Sequence, residues 1–409
     1  MHENDVGHRP ATPAVLLAVV FGMLGAAIAG AADPERVAVF RAGDAGVTLY
    51  RIPGIIATPA GTLIAVCEAR RESRRDWGEI EVHLRRSTDG GLTWAPARHV
   101  AHHGPRIEGN PTKLEGGEHE QTVNNPVAVV DRTSGDLVML YCVNYARCFV
   151  MRSRDDGLTF SDPVEITAAF APFRRHQPWK VIATGPGHGI QLRGGRIVVP
   201  IWLAYGTAGA HHPSAAATIV SDDGGLTWRA GDLAVPNGEG RTDPNESIAA
   251  ERSDGSVLLL SRNVSPPNRK LVTIGPDGAT GWGTPTFQGD LPEPVCMAGL
   301  VTHPARPGLM VVSCPDSLAR DDAGAEIPAG RAKRRNLTLR VSLDDGRTWP
   351  HIRVLEPGPS AYSDLAVLPD GTLVCLYEAG DAIMAARIPL DWLPGIGLPG
   401  IALPSVGPR

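Results

Sequence analysis

The chain is poor in aromatic side chains, at 5% of its residues, and modest in charge, at 20%. Neither sign dominates: 39 Lys and Arg stand against 44 Asp and Glu, a formal net charge of −5. Such a balance sets up no global field that draws in nucleic acid or an anionic membrane, so affinity for an anion must come from a local cluster. Long apolar runs are missing beyond the N-terminal region, and no long helical pattern is evident. Cysteine is sparse. Cys67, Cys142, Cys148, Cys296, Cys314 and Cys375 follow no zinc-ligand spacing, and most sit in apolar runs where a buried free thiol is expected. An oxidising compartment permits disulfides, but the spacing assigns no pairing. There is no calcium-loop pattern and no dinucleotide fingerprint, so no metal or organic cofactor is expected.

What the chain has in plenty is turn chemistry, with 47 Gly and 36 Pro in 409 residues. One phrase occurs four times: Ser87-Thr-Asp-Gly-Gly-Leu-Thr-Trp94, Ser153-Arg-Asp-Asp-Gly-Leu-Thr-Phe160, Ser221-Asp-Asp-Gly-Gly-Leu-Thr-Trp228 and Ser342-Leu-Asp-Asp-Gly-Arg-Thr-Trp349. Asp and Ser side chains bond back to local backbone N–H groups, Gly supplies positive φ, and Thr with the aromatic opens the next strand. The first three copies are almost evenly spaced. The last gap is about twice as long, and a worn copy, Gly275-Pro-Asp-Gly-Ala-Thr-Gly-Trp282, lies within it. Four unrelated surface turns would explain the chemistry but not the spacing.

Short apolar runs recur with the same rhythm: Leu63–Val66, Leu137–Tyr141, Ile197–Trp202, Val257–Leu260, Met310–Val312 and Leu373–Tyr377. One such strand per unit predicts an all-β, six-bladed β-propeller of four-stranded antiparallel sheets, closed by the two ends of the chain. The expected organisation is a signal peptide or N-terminal anchor at 1–31, a propeller at 32–393 and a Gly/Pro-rich tail at 394–409. Residues 14–31 are small and apolar. Ala27-Ile-Ala29 and Ala29-Gly-Ala31 fit a cleavage rule, and the stretch is short against the ~20 residues of a membrane span. Cleavage would leave a secreted or periplasmic protein with no membrane span; without it the protein would be membrane-anchored.

Propellers bind ligands at one end of the central channel. Isolated charges beside the strands are therefore candidates: Arg51 in Tyr-Arg-Ile-Pro, Asp76 in an arginine-rich loop, Glu246 in Asn-Glu-Ser, Arg262 at a strand end, Arg334 in Lys-Arg-Arg-Asn, Tyr362 in Ala-Tyr-Ser-Asp-Leu, and Glu378 in Tyr-Glu-Ala. Taken singly, the charged residues are more often solvated or salt-bridged, and Tyr362 is more often a rim aromatic. In order along the chain, Tyr-Arg-Ile-Pro, the four Asp boxes, Gly185-Pro-Gly-His-Gly-Ile-Gln-Leu192 and the terminal Ala361-Tyr-Ser-Asp-Leu365 motif resemble the exo-α-sialidase (neuraminidase) family from Val37 to about Leu393.

That resemblance implies roles. Arg51, Arg262 and Arg334 would grip the substrate carboxylate, a task suited to a permanently charged planar fork. The family pattern Arg-x-Asn selects Arg334 over Arg335, and adjacent strand residues face opposite ways. Tyr362 would be the nucleophile and Glu246 its base, with Asp76 the acid/base at the leaving oxygen. Glu378 would hold the first arginine, and Arg70 would reach the sugar's far hydroxyl groups. The implied activity is retaining hydrolysis of terminal α-linked sialic acids on glycoproteins, glycolipids and oligosaccharides. A neutral tyrosine suits a substrate that carries a carboxylate on its anomeric carbon, because an anionic nucleophile would be repelled. The alternatives are a non-catalytic glycan-binding propeller, a trans-sialidase, or a hydrolase of a related nonulosonic acid. His188 and Gln191 fit either a pocket lining or a tight backbone turn, and neither is assigned to the site.

Overall fold

The computed structural model describes Met1 and His2, residues 32–101 and residues 115–396. The chain divides into two compact units, 1–31 and 32–409, and the fold belongs to the second. The leader expected at 1–31 and the tail beyond residue 396 lie outside the described residues, apart from Met1 and His2.

Strands dominate the second unit, and the helical segments described are short 3-10 turns at Asp44–Gly46, Thr167–Arg175 and Leu390–Trp392. Each strand predicted from the apolar runs is present: Leu63–Arg70, Leu137–Val143, Ile197–Ala204, Val257–Ser261, Met310–Pro315 and Leu373–Ala379. Their β-branched and leucine side chains are buried on both faces, because each strand is sandwiched between neighbouring sheets.

The expectation of six separate four-stranded blades is not met. The described strands form five sheets, of seven, five, five, four and four strands. Four are blade-like, and in sequence order their second strands are Leu63–Arg70, Leu137–Val143, Ile197–Ala204 and Val257–Ser261. The remaining chain makes one seven-stranded sheet. Its cause is the 17-residue strand His351–Val367, whose first half pairs with Arg335–Ser342 and whose second half pairs with Leu373–Ala379. Pro357 and Pro359 do not end this strand, because proline's fixed φ fits extended backbone. Two sheets gain a fifth strand from the motif around His188: Gly187–His188 pairs in parallel with Val123–Val130, and Ile190–Gln191 with Ile197–Ala204. The first described strand, Glu35–Arg41, pairs antiparallel with the last, Ala382–Ile388.

The core lies between successive sheets rather than at one centre. Ile64, Val66 and Leu84 pack on Met139 and Tyr141. Leu140 and Val150 pack on Val199 and Ile219, Val198 and Val220 on Leu259 and Leu271, and Leu258 and Leu260 on Met310 and Val312. Val374 and Leu376 return to Leu63 and Ala65, which closes a propeller-like ring.

The first three Asp boxes form the turn into the outermost strand of their sheets, and the fourth the turn into His351–Val367. In the third copy the Ser221 hydroxyl donates to Asp223 Oδ1 (2.7 Å), Leu226 and Thr227 amides donate to the same oxygen (3.0 and 2.9 Å), and the Thr227 hydroxyl donates to Oδ2 (2.6 Å). Asp89 and Asp344 repeat the set, and Asp155 makes the same bonds to Ser153 and Thr159. The worn copy keeps part of it, with Asp277 Oδ1 accepting from the Ala279 and Thr280 amides (2.9 and 2.8 Å). Each of four turns is also gripped by an arginine of the preceding sheet. Arg86 donates to Asp156, Arg152 to the Gly224 carbonyl, Arg196 to Asp277 and Arg252 to the Asp345 carbonyl. The boxes therefore join neighbouring sheets as well as turning the chain.

Candidate active site

All eight candidate residues meet at one end of the ring. They arrive from strand ends and neighbouring loops in the first, fourth and seven-stranded sheets. Tyr362 lies at the centre. Its hydroxyl donates to Glu246 (Oε1 2.6 Å, Oε2 2.7 Å) and accepts from Arg262 Nη1 at 2.7 Å. Arg262 Nη1 also donates to Glu246 Oε2. The guanidinium groups of Arg51 and Arg334 lie over the Tyr362 ring, 4.9 and 5.2 Å from its centroid. Three cations thus surround one phenol. Arg334 is the arginine that faces inward, and Arg335 is exposed.

Glu378 holds the backbone as well as Arg51. It accepts from Arg51 Nε and Nη2 (3.0 and 3.2 Å), from the Ile52 amide (3.0 Å) and from the Tyr362 amide (3.3 Å). Both strands are irregular here. The register shifts between Arg51 and Gly54 and between Ser360 and Ser363, and Ile52 has φ 59°. A β-branched residue in the left-handed region is strained. The bulges turn Arg51 and Tyr362 toward the same space, and one carboxylate satisfies the amides they expose.

Asp76 sits in the loop between Leu63–Arg70 and Ile80–Ser87 and is half-exposed. It contacts Arg70 Nη2 at 2.8 Å and Arg51 Nη1 at 3.8 Å. Arg70 is held firmly in place. Its side chain is only 1% exposed, and it donates to Glu68 (2.9 and 3.2 Å) and to the Arg74 carbonyl (2.9 Å). Those bonds fix the guanidinium that contacts Asp76.

The charges are well defined. Burial raises the Tyr362 phenol far above its ordinary value, against the pull of Arg262, so it is protonated. Burial also pushes the Glu246 carboxyl up, but Arg262, the Tyr362 hydrogen bond and Arg334 outweigh it and hold the group ionised below its usual range. For Asp76 burial is likewise outweighed, here by Arg70, Arg51 and His211. A neutral hydroxyl therefore faces an anionic base inside a cationic frame. Such a frame suits a carboxylate, and Arg262 Nε is buried without a partner among the described residues.

Several neighbours were not singled out from the sequence. Glu68 is buried in an apolar strand, two residues before Arg70 and on the same face, and that spacing was the available signal. Trp77, Tyr145, Trp202 and His211 form a cluster of tilted and edge-on rings, and His211 acts on Asp76. They come from three distant segments, so no local pattern announced them. His188 pairs with buried Asp364 (2.8 Å), and Gln191 bonds Asp131 (2.7 Å); both serve the fold. No group of three or more His, Cys, Asp and Glu suited to a metal occurs among the described residues.

This propeller-like frame with repeated Asp boxes matches the BNR repeat-like domain family over residues 56–375. A sialidase of Micromonospora viridifaciens is 33% identical over 377 residues, covering 87% of this chain and 53% of the relative. A sialidase of Bacteroides fragilis is 29% identical over 372 residues, covering 85% of this chain and 63% of the relative. Among solved structures, the Hadza microbial sialidase Hz136 superposes with a TM-score of 0.72 at 28% identity, over 88% of this chain and 69% of that one. The chain belongs to the sialidase family with BNR repeats. It spans less than two thirds of the length of the two curated relatives named here.

Proposed function

We propose that the protein is an exo-α-sialidase that hydrolyses terminal α-linked sialic acids from glycoconjugates through a tyrosyl-enzyme intermediate. The observation that carries this reading is the Tyr362 hydroxyl held between Glu246 and Arg262 beneath two further arginines. Arg51, Arg262 and Arg334 bind the carboxylate on the anomeric carbon. Tyr362 Oη attacks that carbon while its proton passes to Glu246. The bond to the leaving oxygen breaks as Asp76 protonates it. A water molecule, deprotonated by Asp76, then attacks the anomeric carbon; the bond to Tyr362 breaks and Glu246 returns the proton. Two displacements give net retention. An unperturbed phenol has a pKa of about 10, so attack needs the adjacent base.

A glycan-binding protein without catalysis has no use for an acid, a base and a nucleophile in register, and their joint presence favours the enzyme. The test is turnover of an aryl α-sialoside beside the matching aryl hexosides. Release of phenol from the sialoside alone is expected. No release from it, or equal release from a hexoside, overturns the reading.

A further inference from the structure

Behind the arginines lies a buried ion pair that the reaction described above does not use. Lys270 Nζ is 3.0 Å from Glu293 Oε2, and both side chains are 1% exposed. Burying two charges is costly, and an apolar pair of similar size often serves stability as well or better. The bonds of this pair converge on one short segment. Glu293 Oε1 accepts from the Cys296 amide (2.9 Å), and Lys270 Nζ donates to the Cys296 carbonyl. Val295, the residue before Cys296, has φ 56°, another strained β-branched position. Its carbonyl accepts from Arg334 Nη2. Glu293 Oε2 also accepts from the amide of Asn263 (3.1 Å), the residue after Arg262.

We propose that the Lys270–Glu293 pair is a positioning device for the carboxylate-binding arginines, acting through the Val295 carbonyl on Arg334 and through the Asn263 amide on Arg262. The pair clamps both polar groups of Cys296, which holds Val295 in its strained conformation and aims its carbonyl at Arg334. It also fixes the strand end from which Arg262 projects. Because the pair is neutral as a unit, it adds rigidity without adding net charge under an anion site. The proposal rests on the sialidase reading for its consequence in catalysis, but not for its geometry.

The test replaces both partners together, Lys270→Met with Glu293→Leu, which leaves no unpaired buried charge. Loosened arginines bind the substrate carboxylate more weakly in ground and transition states alike, so KM for an aryl α-sialoside should rise about tenfold or more with little change in kcat. A structure of the variant should show Arg334 Nη2 withdrawn from the Val295 carbonyl. A merely structural pair would lower Tm and the active fraction and leave KM alone. Unchanged KM with an unchanged Val295–Arg334 contact overturns the proposal. Should the double variant fail to fold, Glu293→Gln carries the same two readouts. If the wild-type chain turns over no sialoside, the functional reading fails, and the Val295–Arg334 contact still decides the positioning.

Discussion

Single side chains set the chemistry of the site. Glu246 is ionised and touches the phenol with both oxygens. Glu246→Gln keeps the shape and removes the base, and should lower kcat by about 10²–10⁴-fold in steady-state assays. A loss below tenfold would place the base elsewhere. Asp76 makes a subtler prediction. In the ligand-free site burial raises its carboxyl, yet Arg70, Arg51 and His211 hold it below its ordinary value. A general acid must carry its proton, so kcat/KM should be highest at acidic pH and fall as pH rises. A substrate carboxylate on Arg51 cancels part of the charge facing Asp76 and raises its pKa in the complex. On an alkyl-linked sialoside, whose leaving oxygen needs a proton, the alkaline limb of kcat should therefore lie at higher pH than that of kcat/KM. Coincident limbs, or the reverse order, would contradict the assignment.

At the scale of elements, the Asp boxes and the bulged inner strands show what the sequence made legible. The boxes were readable because their chemistry is local: one carboxylate serves amides three and four residues on, so spacing alone reveals it. Even the worn copy at Asp277 could be placed. The bulges at Ile52 and Ser360–Ser363 were not readable, because a carboxylate more than three hundred residues from Ile52 stabilises the first of them. The same holds for Val295 and the Lys270–Glu293 pair beneath it. The boxes also carry a stability prediction. Burial pushes the Asp223 carboxyl up, but the bonds from Thr227 and Ser221 outweigh it and bring it down to about 2, against about 3.9 in an unfolded chain. Its contribution is therefore full above about pH 4 and is lost as pH falls through about 2. Asp223→Asn should lower the thermal midpoint at pH 7 by about 1–3 °C, and the gap from wild type should narrow between pH 4 and pH 2. A gap that stays constant over that range would show that the charge is irrelevant.

At the scale of the whole molecule, the ring brings together residues that lie hundreds of positions apart. The sequence foretold an all-β ring with paired ends, and Glu35–Arg41 does pair with Ala382–Ile388. It miscounted the sheets, because one apolar strand per unit implied separate blades where the strand His351–Val367 runs on from one unit into the next. That continuous strand has a consequence for the site: Tyr362 lies on it just past the point where its pairing passes from Arg335–Ser342 to Leu373–Ala379. Order along the chain revealed the eight candidates, whereas Glu68, Tyr145 and His211 became visible only when the sheets were assembled. The fold thus presents a neutral phenol, an ionised base and three guanidinium groups to one space, and the account turns on that phenol forming a bond to an acidic sugar. The most direct measurement is mass spectrometry of the protein after reaction with a 3-fluorosialosyl fluoride, which slows breakdown of a covalent adduct. The account predicts one added sialyl group on the peptide that contains Tyr362, and none in the Tyr362→Phe protein. An adduct on Glu246 or Asp76, or turnover with no adduct at all, would contradict it.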